Sequence, residues 1–65
     1  MEFTEPVKTL FRETAQTLQG SARRRFMARA VQALGPGGQR QAEHELGWNR
    51  GTIRKGMREL ETGLT

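Results

Sequence analysis

Gln39 to Leu60 reads QRQAEHELGWNRGTIRKGMREL, and its punctuation decides the fold. The first segment carries few apolar positions, Ala42 and Leu46, and closes on Gly47, where a tight bend needs a residue tolerant of positive φ. A second helix then starts almost at once. Asn49 suits its N-cap, because a short side-chain oxygen accepts from the free amides of a first helical turn. Beyond it Ile53, Met57 and Leu60 recur at helical spacing on one side, while Gly51, Arg54, Lys55 and Arg58 fall on the other. A short helix, a glycine turn and a second helix with a basic outer side make the layout of a helix-turn-helix.

Upstream of that stretch, Gly35, Pro36, Gly37 and Gly38 form the strongest break in the chain, since glycines around a proline cannot continue a helix. The break is too short for a domain linker and reads as a turn. Before it lie two amphipathic segments. Met1 to Pro6 looks like a short leader, with Thr4 or Glu5 near a cap and Pro6 tolerated in the first turn. Val7, Leu10, Phe11, Ala15 and Leu18 then line one stripe, with Thr9, Arg12, Glu13 and Gln16 opposite. Gly20 is expected to end this helix and Ser21 to cap the next. The second helix presents Phe26, Met27, Ala30, Val31 and Leu34 on its apolar side and turns Arg25, Arg29 and Gln32 away. Among the consecutive arginines, Arg23 is expected along the rim of the apolar face with its stem covering it, and Arg25 in solvent. A solvated role and a phosphate-contacting role are equally compatible with this run.

The third helix is expected from Gln39 to Leu46 and the fourth from about Arg50 to Glu61, with Gly63 as its stop signal. Nothing reads as a strand, and there are no internal repeats or low-complexity segments. The expected fold is therefore all-α: a small four-helix domain over residues 1–65, with a supporting helical hairpin (1–35) followed by a helix-turn-helix (38–62).

Composition narrows the function. At 65 residues the chain makes at most one small domain, with little room for an enclosed active site. It has no cysteine and a single histidine, so no disulfide framework and no Cys/His metal cage is expected. All seven acids are glutamate, which leaves poor raw material for carboxylate-cluster metal catalysis, and no catalytic constellation, cofactor or metal site is assigned. No apolar run approaches the roughly 20 residues of a membrane span, and the start lacks a secretory signal pattern, so a soluble, cytoplasmic protein is expected. Eleven Lys and Arg give a formal charge of +4 and a pI near 11.2, which favours a polyanionic partner.

A recognition helix buries one side and presents long donors to the major groove of double-stranded DNA. The fourth helix meets both demands. Arg50 and Arg54, nearest its start, are expected to approach bases, because arginine grips guanine through two hydrogen bonds. Lys55 and Arg58 are expected at the backbone. Asn49 and Thr52 are candidate contacts that equally serve as cap and first turn. Gln39 and Arg40 open the third helix, where free amides favour a phosphate. Trp48 is expected in the core, packed between the helices flanking the bend, with its indole nitrogen able to donate to a phosphate. His44, beside Glu43 and Glu45, is given no role. Gly56 costs about 1 kcal/mol against alanine inside a helix and suggests a close approach to the second helix.

The run from Phe11 to Gly63, and within it GGQRQAEHELGWNRGTIRKGMRELETG, resembles the N-terminal region of bacterial insertion-sequence transposases of the ISAzo13 type. The GGQR start, the GWNRGTIRKG turn and the REL ending carry the resemblance, which covers most of the chain. It implies a module that binds the terminal inverted repeats of the element and positions a separate DDE catalytic domain, at the bacterial nucleoid, with any homodimer formed through the full-length protein. No catalytic residue carries over, because the chain has no aspartate, and an excised N-terminal domain or a naturally shortened product is expected. Two positions depart from the general helix-turn-helix pattern: Glu43 stands near where a small alanine is preferred, and Gly56 where a larger apolar residue packs.

Rival readings are a small helical interaction or dimerisation module using Val7, Leu10, Phe11 and Leu18, and a stand-alone transcriptional repressor. RNA binding is disfavoured by the scarcity of aromatics for base stacking.

Overall fold

The structure, a computed structural model, describes residues 3–63; Met1 and Glu2 of the expected leader, with Leu64 and Thr65, lie outside it. The described chain is all-helical. Helix α1 spans Glu5–Thr17 and α2 spans Gly20–Leu34. Helix α3, Gly38–Gln41, runs straight on into a widened π-type turn at Ala42–Leu46, and α4 spans Arg50–Thr62. The Cα radius of gyration is 10.9 Å.

Helix α2 is the hub. Its most extensive packing is with α4, not with α1, so the first two helices are less a self-sufficient hairpin than two of the walls around one core. The reason lies in two glycines. A Cβ built on Gly56 of α4 would stand 2.0 Å from the Arg24 carbonyl oxygen and 3.2 Å from the Ala28 Cβ. One built on Gly38, at the start of α3, would stand 2.5 Å from the Val31 carbonyl oxygen. Arg24 and Val31 are about two turns apart on α2 and share a face, so both later helices press bare backbone onto the same side of it. The close approach expected of Gly56 is present, and it explains why a larger apolar residue is missing there.

Around this contact lies a core of Phe11, Ala15, Met27, Ala30, Val31, Ala42, Leu46, Trp48 and Ile53. The chain's four aromatic residues meet within it or on its edge. Phe11 lies 6.5 Å from the Trp48 ring in a stacked arrangement, and Phe26 meets both rings edge-on at 6.0 and 6.2 Å. Phe3 completes the cluster at 6.0 Å from Phe11. Such pairs contribute about 0.5–1.5 kcal/mol each beyond their buried area. Trp48 is buried as expected, but its ring partners come from α1 and α2 and not from the helices that flank the bend.

Several local expectations are corrected. Gly20 does not end α1; the helix closes at Thr17, Leu18 and Gln19 are extended, and Gly20 opens α2 at φ +58°. Gln19 takes the cap position that Ser21 was expected to fill, and the Ser21 hydroxyl is buried with no hydrogen-bond partner among the described residues. Leu10 is 59% exposed. At 3.6 residues per turn it lies about 100° from the centre of the Val7, Phe11, Ala15 and Leu18 line, and α1 is turned the other way, toward Lys8 and Arg12. Arg12, expected on the outer side, is half-buried and donates to the Glu45 carbonyl oxygen at 3.2 Å, where it satisfies the end of the third helical segment. The wide turn was not foreseen. Both the Gly47 and Trp48 amides donate to the Ala42 carbonyl oxygen, and Gly47 at φ +70° then releases the chain with Trp48 directed into the aromatic cluster.

Replacing Gly56 with alanine gains about 1 kcal/mol of helix propensity but forces α4 away from α2. The expected net loss is at least about 2 kcal/mol, measured as a lower urea midpoint; an equal or higher midpoint would show that the two backbones are not pressed together.

Candidate nucleic-acid interface

Helix α4 begins where the sequence places it. The Asn49 side-chain oxygen accepts from the Thr52 amide at 3.2 Å, and Gly63 at φ +73° ends the helix. Ile53 is fully buried and Gly56 is buried against α2, with Met57, Glu59 and Leu60 half-buried beside them. Gly51, Arg54, Lys55 and Arg58 are exposed on the opposite side, and Arg50 is exposed at the flank, about 60° around the helix from Ile53. Arg50, Arg54 and Arg58 follow one another at intervals of four, so they form a single ridge about 12 Å long at 1.5 Å per residue. Gly51 and Lys55 form the neighbouring ridge.

Three glutamates around this surface are engaged in ion pairs, while Glu61, exposed on α4 three residues after Arg58, has none among the described residues. Glu59, on α4 itself, receives two hydrogen bonds from the Arg24 guanidinium of α2, at 3.0 and 2.7 Å. That fork geometry is the strong form of an ion pair. It holds the Glu59 carboxyl below its ordinary range, through the hydrogen bond from Arg24 first and its charge second. Glu43 accepts from the Gln39 amide at 3.2 Å and from Arg50 at 3.4 and 3.5 Å; these contacts, Gln39 foremost, lower its carboxyl too. Glu45 pairs with Lys8 of α1, which lowers the acid and raises the amine. Arg54, Lys55 and Arg58 have no ion pair among the described residues.

The eight candidate residues divide into groups. Arg54, Lys55 and Arg58 stand free on the outer side of α4, whereas Arg50 is exposed at its flank and leans back on Glu43. Asn49 and Thr52 are joined in the cap and line one groove with Lys55. Gln39 is half-buried and bound to Glu43. Arg40 is exposed but lies apart, beside Lys8 of α1 and Phe3, which precedes that helix. The opening amide of α3 is not free either, since Gly38 donates to the Gly35 carbonyl oxygen at 2.9 Å.

The arginine run resolves into three different fates. Arg23, expected on the rim, is exposed. Arg24 is the one that turns inward, to Glu59. Arg25 is half-buried, its Nε donating to the Ser21 carbonyl oxygen at 3.4 Å, and so is not the solvated residue expected. Sequence reasoning passed over Arg24, although it stands three and four residues before the buried Met27 and Ala28 and therefore shares their face. His44 is exposed. Among the described residues no group of three or more His, Cys, Asp or Glu is placed to hold a metal ion, and no helix is long and apolar enough to cross a membrane.

Compared with known protein families, curated proteins and solved structures, the chain matches none.

Because the folded-state pKa of Glu59 is depressed, its ion pair stabilises the fold above the ordinary carboxylate range of about 4 and ceases to do so as pH falls below it. Wild type is therefore expected to melt above Glu59→Gln at neutral pH, with the gap closing on acidification. A gap that persists unchanged at low pH would refute the assignment.

Proposed function

We propose that this chain binds double-stranded DNA through α4, as a binding module and not as a catalyst. One observation carries the reading: Arg54, Lys55 and Arg58 share the exposed side of a helix whose other side is anchored to α2, with Arg50 exposed at its flank. Long-range attraction to the phosphates supplies affinity irrespective of sequence. Arg50 and Arg54 are then the residues suited to reading base edges, with Lys55 and Arg58 on the backbone. Gln39 serves this surface indirectly, by holding Glu43, and Arg40 adds charge away from α4.

The finer reading, a module for the terminal inverted repeats of a bacterial insertion sequence acting at the nucleoid, rests on the sequence resemblance alone. Selection of bound duplexes from a random pool separates it from a repressor, since inverted-repeat ends and operator-like palindromes differ in form. The rival reading as a dimerisation stripe loses its centre, because Phe11 is buried in the chain's own core and Leu10 is left as the exposed large apolar side chain among the described residues.

Replacing Arg54 and Lys55 together with alanine is expected to weaken binding to duplex DNA at least about tenfold and to flatten its salt dependence by roughly one unit of slope per lost phosphate contact. Both positions are exposed, so circular dichroism should show an unchanged fold. Wild-type affinity in the double variant would remove the reading.

A further inference from the structure

We propose that the groove between the start of α2 and the start of α4 seats a backbone phosphate of the same duplex, with Arg23 as a contact outside the helix-turn-helix. The inference rests on the DNA-binding reading and extends it to α2. The groove, about 420 Å³, is lined by Gly20 and Arg23 on one wall and by Asn49, Gly51, Thr52 and Lys55 on the other.

Three observations select this place and this occupant. First, its described lining contains no carboxylate, whereas two other surface grooves each include one, Glu45 beside α1 and Glu61 near the end of α4. An anion entering either of those meets a like charge; here it does not. Second, the two cations at the mouth are available. Arg23 and Lys55 are exposed and without ion pairs among the described residues, while Arg24, which also reaches the groove, is held by Glu59. Third, Gly20 and Gly51 bring no side chain to the walls, so a phosphodiester reaches the backbone without meeting a Cβ. Lys55 belongs both to this groove and to the outer side of α4, so one strand can pass from the ridge onto α2 without crossing an acidic gap.

Arg29 provides the control. It is exposed on the same helix but lines the groove that contains Glu61. Duplex affinity is measured over a salt series for wild type, Arg23→Gln and Arg29→Gln, each removing one exposed charge. Arg23→Gln is expected to weaken binding several-fold and lower the salt slope by about one, with Arg29→Gln close to wild type. Equal losses in the two variants would mean diffuse attraction and overturn the groove. Wild-type behaviour of Arg23→Gln would overturn the groove and leave the α4 reading intact, whereas no binding by the wild type would remove both.

Discussion

The approach of α4 to α2 at Gly56 is the constraint from which the remaining geometry follows. Burying apolar area is non-directional and would tolerate many crossing arrangements of short helices. A contact in which a missing Cβ admits a neighbour's carbonyl oxygen tolerates very few, because a shift of an ångström opens a gap or makes a clash. Gly38 repeats the device one helix earlier, on the same face of α2. A chain this small has few apolar side chains with which to define a unique packing, and it defines one by removing side chains where backbones meet.

Charge is organised by the same economy. The three glutamates with lowered pKa values each pair with a base from another helix or across the turn: Glu45 with Lys8, Glu59 with Arg24 and Glu43 with Arg50. These three acids thus act as ties, and Arg54, Lys55 and Arg58 are left facing outward on α4 without ion pairs among the described residues. The net charge alone would not produce a directed surface. Neutralising three glutamates in ion pairs leaves less opposing charge beside Arg54, Lys55 and Arg58, since the field of a patch depends on what is absent from it as much as on what is present.

Much of α4 and its surroundings was legible because local chemistry and tertiary packing agree there: Asn49 caps, Gly47 and Gly63 take positive φ, and Ile53 faces inward. Gly56 was legible for the opposite reason, as a residue that makes no sense for an isolated helix. Misreadings cluster where partners come from far along the chain. Nothing near Leu10 says that α1 is turned toward Lys8 and Arg12, because the residue that draws them, Glu45, is more than thirty positions away. The Gly20 and Ser21 assignments failed because glycine permits positive φ on entering a helix as readily as on leaving one. Arg24 was hidden by its neighbours: in a run of three identical residues, only the register of α2 distinguishes the one that turns inward.

Trp48 has a consequence for modularity. It sits in the bend of the helix-turn-helix, yet its ring is clasped by Phe11 of α1 and Phe26 of α2. The bend therefore draws its rigidity from the opposite half of the chain, and residues 38–62 do not form a self-contained cassette. Transplanted alone onto another scaffold, that segment would carry its cap, its stop and its cationic ridge but leave behind the clasp that sets the angle between its two helices.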